Sequence, residues 1–330
     1  LNTNVNRPPP VKGSVCERSN SSAVHRENTG MSAGARFRLA LSEESPLQVA
    51  GAVNAYTAMM AEKTGFRAIY VSGSGVATAS FGLPDLGITT MSDVVEDVRR
   101  ITRSVKVPVL VDIDTGFGSA FNIARTVREL ELAGAGAVHI EDQVQAKRCG
   151  HRPNKQLVSR EEMVDRIRVA VEARGDPEFV VMARTDAYSN EGLQAAIDRA
   201  KAYVDAGADM IFAEAMHTLE DYKQFTQQVS VPVLANMTEF GKTPLFNLED
   251  LRSAGVAIAL YPLSAFRAQS AAALKVFREI RAQGTQEGVL EHMQTRQELY
   301  EFLDYYKYED MLDEINAKSE AGASHTVPSI

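Results

Sequence analysis

The sequence predicts an α/β fold, a closed (β/α)8 barrel with additional C-terminal helices. From residue 48 onward, short apolar, β-branched runs alternate with segments of helical spacing, which is typical of parallel strands joined by right-handed helical crossovers. Eight such runs are present, the number that closes this kind of barrel. A chain of 330 residues, 45% of them hydrophobic, is long enough, since barrels of about 250 residues are typical.

The eight predicted strands are nearly continuously apolar, as expected for strands that are covered on both faces. They comprise residues 48–55, 68–73, 108–114, 137–142, 180–186, 210–215, 232–237 and 256–262. Helical spacing lies between them at 91–103, 122–133, 160–173, 191–206 and 218–228. We therefore expect a TIM-type barrel domain over residues 31–318, followed by a flexible tail at 319–330.

The first thirty residues lack apolar periodicity and contain the run Pro8-Pro9-Pro10. Such a segment buries too little apolar surface to offset the entropy of ordering it. We therefore expect a disordered N-terminal extension at 1–30, with Met31 close to the natural start. A transit peptide is the alternative, because basic residues outnumber acidic ones in this segment.

Composition disfavours several classes of protein. The 35 basic and 43 acidic residues give a net charge of -8, which argues against a nucleic-acid partner. No apolar stretch reaches the roughly 18 to 20 residues of a membrane helix, so no membrane partner is expected. The two cysteines, Cys16 and Cys149, cannot form a disulfide framework, and a cytoplasmic location follows as the default.

Polar residues at the strand ends predict where the functional site lies, because barrel active sites occupy the C-terminal face. The residues at these ends are Asn54, Ser72, Gly73, Asp112, Asp114, Glu141, Asp142, Arg184, Asp186, Glu214, Asn236 and Tyr261. Helix capping is the alternative for some of them, Asp142 and Asp186 in particular. Capping does not account for the whole set, which predicts a polar site.

Asp112 and Asp114 lie two residues apart on one predicted strand, so their carboxylates point to the same face. Glu141 and Asp85 follow neighbouring strands and would approach them. Clustered acids raise each other's pKa unless a cation occupies the site, and an oxygen-only ligand set suits Mg²⁺ or Mn²⁺. The alternative is a hydrogen-bonded structural network.

Cys149 lies among Lys147, Arg148, His151 and Arg152. Positive neighbours favour the thiolate, so we expect the pKa of Cys149 to fall toward neutrality, where a thiol exchanges protons readily. The alternatives are an inert buried cysteine and a basic surface loop. A zinc site is disfavoured because no second thiol or paired histidine is nearby.

An anionic substrate is predicted from Arg184, with Arg267 and Arg296 as weaker candidates, because guanidinium groups match carboxylates bidentately. A dinucleotide site is disfavoured, since Gly73-Ser74-Gly75 is followed by Thr78 where the fingerprint needs a third glycine. A backbone cradle for a carboxylate fits Ser72-Gly73-Ser74 better.

Several motifs resemble those of the isocitrate lyase/phosphoenolpyruvate mutase superfamily. They are Lys147-Arg148-Cys149-Gly150-His151, Val111-Asp112-Ile113-Asp114 and Gly82-Leu83-Pro84-Asp85-Leu86-Gly87. Two longer stretches, 149–155 and 260–267, look like those of the 2-methylisocitrate lyase family of the short bacterial type. The resemblance runs from about residue 35 to residue 318.

The resemblance implies a Mg²⁺-dependent lyase, with Mn²⁺ as an alternative metal, that cleaves (2S,3R)-2-methylisocitrate to pyruvate and succinate in the methylcitrate cycle of propionate catabolism. It implies that Asp112 and Asp114 hold the metal, with Asp85 helping through water. It further implies that Cys149 protonates the carbanion on the succinate half. Tyr70 is a candidate for the base that deprotonates the substrate hydroxyl.

The resemblance also implies substrate contacts from residues distributed over most strand ends. These are Ser72, Gly73, Ser74, Cys149, Gly150, Arg184, Glu214, Asn236, Met237, Thr238, Arg267 and Arg296. Phe212 and Leu260 match positions where isocitrate lyases carry bulkier aromatic residues, so a pocket for the substrate methyl group is expected there. Ser74 departs from the glycine of the family pattern.

The family further implies a homotetramer in which a C-terminal helix is swapped between barrels. The aromatic segment 298–315 is the candidate for that helix. Other functions stay open: an isocitrate lyase, an enzyme like phosphonopyruvate mutase or oxaloacetate hydrolase, and a non-catalytic barrel that binds a metabolite. The barrel without activity is the least favoured, because the acids, the cysteine and the arginines are all present.

Overall fold

The computed structural model describes residues 30–320. Its eight strands form a closed parallel barrel in which each strand pairs with the next and the last pairs with the first. The strands are β1 (Leu47–Gly51), β2 (Ala68–Val71), β3 (Val109–Asp112), β4 (Ala137–Glu141), β5 (Val180–Thr185), β6 (Met210–Ala213), β7 (Val233–Asn236) and β8 (Ile258–Tyr261). The predicted (β/α)8 barrel is confirmed.

Helices follow the strands and continue beyond the last one, as predicted. Up to β4 they are α1 (Ala33–Glu43), α2 (Ala55–Lys63), α3 (Gly73–Gly75) with a π-helix at Val76–Ser80, α4 (Met91–Thr102) and α5 (Ala120–Leu132). Between β4 and β8 lie α6 (Arg160–Ala173), α7 (Tyr188–Glu191), α8 (Leu193–Asp205), α9 (Leu219–Gln228) and α10 (Leu248–Ser253). After β8 come α11 (Ser264–Gln283), a 3₁₀ helix at Glu287–His292, α12 (Arg296–Phe302) and α13 (Tyr305–Glu320).

Alternate strand residues build two apolar layers. The inner layer fills the barrel and includes Leu110, Met182 and Phe212. The outer layer lies between the strands and the surrounding helices and includes Val111 and Val181. Apolar side chains fill the interior of the barrel, so the polar groups at the carboxyl ends of the strands lie on top of a closely packed core.

Helix α1 contributes to the closure of the inner layer. Its Phe37 is fully buried in the same cluster as the inner strand residues. Close packing leaves no room for side chains here, since a Cβ on Gly136 would lie 2.4 Å from the Ala33 carbonyl oxygen. Helix α1 thus packs against the amino-terminal end of the barrel, opposite to the carboxyl ends of the strands.

Two predicted boundaries were wrong. The first predicted strand, 48–55, ends at Gly51, because Asn54 caps α2 by accepting a hydrogen bond from the Thr57 N–H at 2.8 Å. The aromatic segment 298–315 is two helices, with Asp304 between them in a left-handed conformation at φ 50°.

The N-terminal segment 1–29 and residues 321–330 lie outside the described residues, and with them Cys16 and most of the predicted tail. Among residues 30–320, no helix combines the length and the hydrophobicity that crossing a membrane requires.

Candidate active site

Five buried polar residues come together at the carboxyl ends of β3 to β7, where the sequence predicts a site. They are Asp112, Glu141, Arg184, Glu214 and Asn236. Parallel pairing aligns them, since Glu141 is the register partner of Arg184. Glu214 is the residue directly after β6. The strands thus deliver three acids, one base and one amide to a single region.

Asp112 and Asp114 are held as a pair by backbone donors. Asp112 accepts hydrogen bonds from the Asp114 N–H at 3.0 Å and the Gly73 N–H at 3.1 Å. A Cβ on Gly73 would lie 3.1 Å from one oxygen of each carboxylate, so this position needs glycine for the close approach. Both aspartates are buried, which keeps their carboxylates from being fully hydrated.

The two aspartates differ in their affinity for a proton. Burial alone would raise the pKa of Asp112, but His139, Lys147, Arg184 and the Asp114 N–H outweigh it and lower that pKa to about 2. Burial raises the pKa of Asp114 to about 6, and Asp112 and Asp85 add to this rise against the opposing effect of Lys147. Asp114 is therefore the more readily protonated of the two aspartates.

Lys147 supplies the positive charge nearest to this pair. Its ammonium nitrogen lies 2.7 Å from Asp85 Oδ1 and forms an ion pair with Asp114. The lysine side chain is almost completely buried. The sequence pointed to Lys147 as a neighbour of Cys149, whereas the structure directs it to the acids.

The residues fit a hard divalent cation such as Mg²⁺. Among residues 30–320, no three Asp, Glu, His or Cys side chains are arranged to hold a metal alone. Mg²⁺, however, is usually bound through one or two carboxylates and keeps several waters. Asp112 and Asp114 provide such a pair, and both carboxylates are buried beside the Gly73 backbone.

Arg184 is the centre of the second half of the site. Its guanidinium lies 3.3 Å from Glu141, 3.0 Å from Asp186 and 3.2 Å from Glu214. Burial alone would raise the pKa of Glu214, but Arg184 and His151 hold it well below its ordinary value. Asn236 donates to Glu214 at 3.4 Å.

A buried lysine that sequence reasoning missed completes this network. Lys155 Nζ lies 2.6 Å from Asp186 Oδ1, and both side chains are almost fully buried. Asp186, predicted as a helix cap, instead forms ion pairs with both Lys155 and Arg184. Asp142, the other predicted cap, accepts from the Asp186 N–H at 2.9 Å and from the Tyr203 hydroxyl at 2.9 Å. Neither aspartate is the N-cap of a helix.

The loop between β4 and α6 carries Cys149 over the strand ends. A Cβ on Gly150 would lie 2.5 Å from an Arg184 nitrogen, so this glycine permits close approach to the buried network. His151 Nε2 lies 3.0 Å from Glu214 Oε1, and His151 Nδ1 accepts from the Lys242 N–H at 2.9 Å. The loop is thereby tied to the loop after β7.

The expectation of a lowered Cys149 pKa was wrong. Enclosure by surrounding protein atoms raises the pKa of Cys149 above its ordinary value, and Glu214 and Asp85 raise it further. Cys149 is nevertheless exposed to solvent over part of its surface. The basic neighbours do not lower the pKa enough, because Lys147 is engaged by Asp85 and Asp114 and His151 by Glu214. The thiol is protonated at neutral pH and suited to donate a proton.

Tyr70 and His139 lie beneath Asp112. The Tyr70 hydroxyl is 2.9 Å from His139 Nε2 and 3.4 Å from Asp112 Oδ2. Burial raises the pKa of Tyr70 well above its ordinary value, and Asp112 adds to the rise. This disfavours Tyr70 as a base. His139 was missed, although a histidine two residues before Glu141 on an apolar strand shares its face.

The two residues predicted to form the methyl pocket are both buried in the inner layer. Phe212 lies below Arg184, with 5.1 Å between the guanidinium carbon and the ring centroid, and it packs in one cluster with Leu260. Met237, the residue directly after β7, packs in the outer layer. Its contact with substrate stays a prediction.

The remaining predicted contacts are distributed around the rim. Ser72 and Thr238 are buried, and Ser74 is half-buried. Arg267 lies 3.5 Å from Glu239 and stacks over Phe240. Within the described part of the chain, no hydrogen bond or ion pair links Arg296, the first residue of α12, to the buried network. Tyr261 is half-buried at the end of β8.

Comparisons with known proteins agree with this arrangement. Residues 37–281 match the family model described as phosphoenolpyruvate phosphomutase. A 2-methylisocitrate lyase of Shewanella oneidensis is 61% identical over 284 residues, covering 86% of this chain and 97% of the relative. The crystal structure of 2,3-dimethylmalate lyase superposes with a TM-score of 0.78 at 33% identity, covering 91% of this chain and 99% of the other. Phosphonopyruvate hydrolase in complex with oxalate and Mg²⁺ gives 0.75 at 32%, covering 85% and 98%.

Proposed function

The chain belongs to the 2-methylisocitrate lyases of the phosphoenolpyruvate mutase/isocitrate lyase superfamily and is therefore a lyase, and on this premise we propose that it cleaves (2S,3R)-2-methylisocitrate to pyruvate and succinate. The single observation that carries this reaction is the convergence of three parts at one end of the barrel. These are the Asp112–Asp114 pair, the buried Arg184 and the Cys149 loop. The reaction serves propionate breakdown in the methylcitrate cycle.

The acidic pair would hold Mg²⁺, or Mn²⁺ in its place, with Asp85 as an outer partner. When bound, the cation supplies a Lewis acid for the substrate hydroxyl and its neighbouring carboxylate. The backbone at Ser72-Gly73-Ser74 and the side chains of Arg184 and Asn236 would bind and orient the substrate carboxylates. The relative solved with oxalate and Mg²⁺ supports a divalent cation in this family.

Cys149 would complete the reaction as an acid. The substrate hydroxyl gives up its proton to water, and its oxygen becomes the carbonyl oxygen of pyruvate as the carbon–carbon bond breaks. The electron pair of that bond is left on a carbon of the succinate half, the thiol proton moves to that carbon, and the thiolate is protonated again from solvent. A thiol with a raised pKa is protonated at neutral pH, which is the state that a proton donor requires. Tyr70 stays protonated as well and would act only as a hydrogen-bond donor.

Selectivity for the methyl-bearing substrate is assigned to Phe212 and Leu260. Both are buried in the inner layer, and Phe212 lies directly below Arg184. One methyl group in an apolar pocket is worth about 1–3 kcal/mol of discrimination. Slow turnover of isocitrate is therefore compatible with this assignment.

The assembly is proposed to be a homotetramer with a swapped C-terminal helix. Helix α11 has 20 residues and none of them is buried. Large apolar residues are exposed along α11 to α13: Leu274, Phe277, Ile280, Leu303, Tyr306, Tyr308 and Leu312. Apolar surface of this extent is typical of a subunit interface. A cytoplasmic location and the lack of nucleic-acid and membrane partners remain predictions.

The test is a cleavage assay on 2-methylisocitrate beside isocitrate, with pyruvate and glyoxylate detected separately. We expect pyruvate formation from 2-methylisocitrate to exceed glyoxylate formation from isocitrate by at least about tenfold, and both to be lost on chelation. Dominant glyoxylate formation would make the chain an isocitrate lyase and contradict the assignment of Phe212 and Leu260. Absence of both products would favour phosphonopyruvate or oxaloacetate as substrates.

A further inference from the structure

Lys147 lies where a cation is needed. Its ammonium contacts Asp85 at 2.7 Å and also pairs with Asp114, and its side chain is only 4% exposed. Asp114 is one of the two residues proposed to hold the metal, and Asp85 is its proposed outer partner. A single lysine therefore supplies charge to the same carboxylates that a divalent cation would bind.

The ammonium and a divalent cation compete for these acids. The Lys147 ammonium contacts Asp85 and Asp114 directly, and the carboxylates of Asp112 and Glu141 also attract it. Arg184 also lies 3.3 Å from Glu141, but it is shared with Asp186 and Glu214, so Lys147 is the cation that directly contacts Asp85 and Asp114, and a dication would add two charges there. Two cations held on neighbouring oxygens repel each other strongly in a site that excludes water.

Displacement of Lys147 would move Cys149, the proposed proton donor, because only Arg148 separates the two residues along the chain. The rest of the segment 147–151 is held by contacts to other parts of the protein. The Gln143 side chain hydrogen-bonds the Arg148 N–H at 3.0 Å and its carbonyl at 2.9 Å, and His151 lies against Glu214. Of these attachments, only the Lys147 ion pairs connect residues 147–150 to Asp85 and Asp114, the acids of the proposed metal site.

We propose that Lys147 takes the place of the divalent cation's charge in the metal-free protein, so that cation binding displaces Lys147 and loosens residues 147–150. Metal binding and the mobility of the Cys149 loop are then linked through one side chain. The inference rests on the proposed metal site, and it adds to it a device that couples cation occupancy to the position of the acid.

The test is Mn²⁺ binding to the full chain without substrate, after removal of metals, with free Mn²⁺ measured by electron paramagnetic resonance. Lys147→Met removes the competing charge and keeps an apolar chain of similar length. We expect this variant to bind Mn²⁺ about tenfold more tightly than the wild type, within the usual range for coupled sites. Lys147→Arg keeps a cation and is expected to bind as the wild type does.

Arg148→Met is the matched control, because Arg148 is exposed and its side chain has no ion pair with these acids in the described part of the chain. It is expected to bind Mn²⁺ within twofold of the wild type. Asp114→Asn is expected to abolish binding and so to identify the site. Circular dichroism verifies that each variant is folded.

A second readout follows the loop itself. Hydrogen exchange of peptides covering 143–158, measured by mass spectrometry, is expected to rise in the wild type when Mn²⁺ is added. In Lys147→Met, exchange is expected to be high from the start and unchanged by Mn²⁺. Exchange that does not respond to Mn²⁺ in the wild type overturns the inference.

The binding outcomes separate the two proposals. Equal or weaker Mn²⁺ binding by Lys147→Met overturns the role of Lys147 and leaves the metal site standing. Absence of Mn²⁺ binding in the wild type and in both Lys147 variants overturns the metal site and this inference together. Should Lys147→Met fail to fold, wild-type exchange with and without Mn²⁺ still decides.

Discussion

Cys149 shows how the environment of one residue decides its chemistry. Its thiol lies among basic residues in the sequence, yet their charges are engaged by carboxylates, and enclosure with Glu214 and Asp85 raises its pKa. The alkylation rate of a thiol follows its thiolate fraction, so it rises as the pH passes upward through the pKa. For Cys149 we expect the midpoint of iodoacetamide alkylation to lie above that of an unstructured cysteine peptide, because its pKa is raised.

Glu214→Gln is expected to move this midpoint to lower pH, because it removes one of the charges that disfavour the thiolate. The rate is measured on the peptide that contains Cys149, so that Cys16 does not contribute. Glu249→Gln, an exposed substitution outside the site, serves as the control. A wild-type midpoint at or below that of an unstructured cysteine peptide would contradict the raised pKa of the thiol.

Replacement of the thiol tests the proposed acid directly. Cys149→Ser leaves a hydroxyl whose pKa is far too high for ready proton donation, and general acids contribute about 10²–10⁴ in rate. We expect kcat for cleavage to fall at least about 100-fold, with Mn²⁺ binding unchanged. Full activity in this variant would show that another group donates the proton.

Lys155 tests the buried charge network. Its ammonium is 1% exposed and pairs with Asp186 at 2.6 Å. Lys155→Met leaves Asp186 with Arg184 alone, and breaking a buried pair costs about 3–5 kcal/mol. Urea unfolding is expected to show a loss of this size, whereas Lys201→Met, which removes an exposed lysine, changes little. If the network matters as a unit, adding Asp186→Asn recovers part of the loss.

At the scale of elements, the sequence predicts the site residues that lie at the carboxyl ends of strands. Asp112, Glu141, Arg184 and Glu214 were predicted because the direction of parallel strands brings their carboxyl ends to one face. Lys155 was not, since nothing in the local sequence separates a buried loop lysine from a solvated one. Its burial depends on Asp186, which is 31 residues away along the chain.

Helical residues show the same limit. The aromatic segment 298–315 has continuous apolar spacing, but the backbone turns at Asp304 and produces two helices. Asn54 was assigned to the site because it follows an apolar run, and it caps α2 instead. Local patterns predicted the elements, whereas the contacts between elements decided which polar residues serve the site.

The β4–α6 loop depends on Gly150 for its approach to the neighbouring strand ends. A Cβ there would lie 2.5 Å from an Arg184 nitrogen and 2.7 Å from the Glu214 carboxyl carbon, both of them buried. Gly150→Ala is therefore expected to push the loop outward and lower kcat/KM for 2-methylisocitrate at least about tenfold, as displacements of about 1 Å do. Ala146→Ser, at an exposed position of the same loop, is the control, and equal losses in both variants would contradict the role of Gly150.

At the scale of the whole molecule, the helices after β8 expose apolar side chains that nothing within the described part of the chain covers. Phe277 is 67% exposed and Leu274 52% exposed on a helix of which no residue is buried. Burying apolar area stabilises a structure by about 25 cal/mol per Å². The exposed apolar side chains of α11 contribute little of this stabilisation in one subunit, and contact with a second subunit would add it. This is the physical reason to expect an oligomer built through α11.

Sedimentation velocity tests this expectation. The wild-type chain is expected to sediment as a tetramer, and Phe277→Glu, which places a charge in the proposed interface, is expected to shift it to smaller species. Leu132→Glu is the matched control, because Leu132 is 84% exposed at the end of α5, away from the C-terminal helices. A monomeric wild type, or equal dissociation in both variants, would rule out α11 as the interface. If Phe277→Glu dissociates and also loses cleavage activity, the assembly contributes to the site as well as to stability.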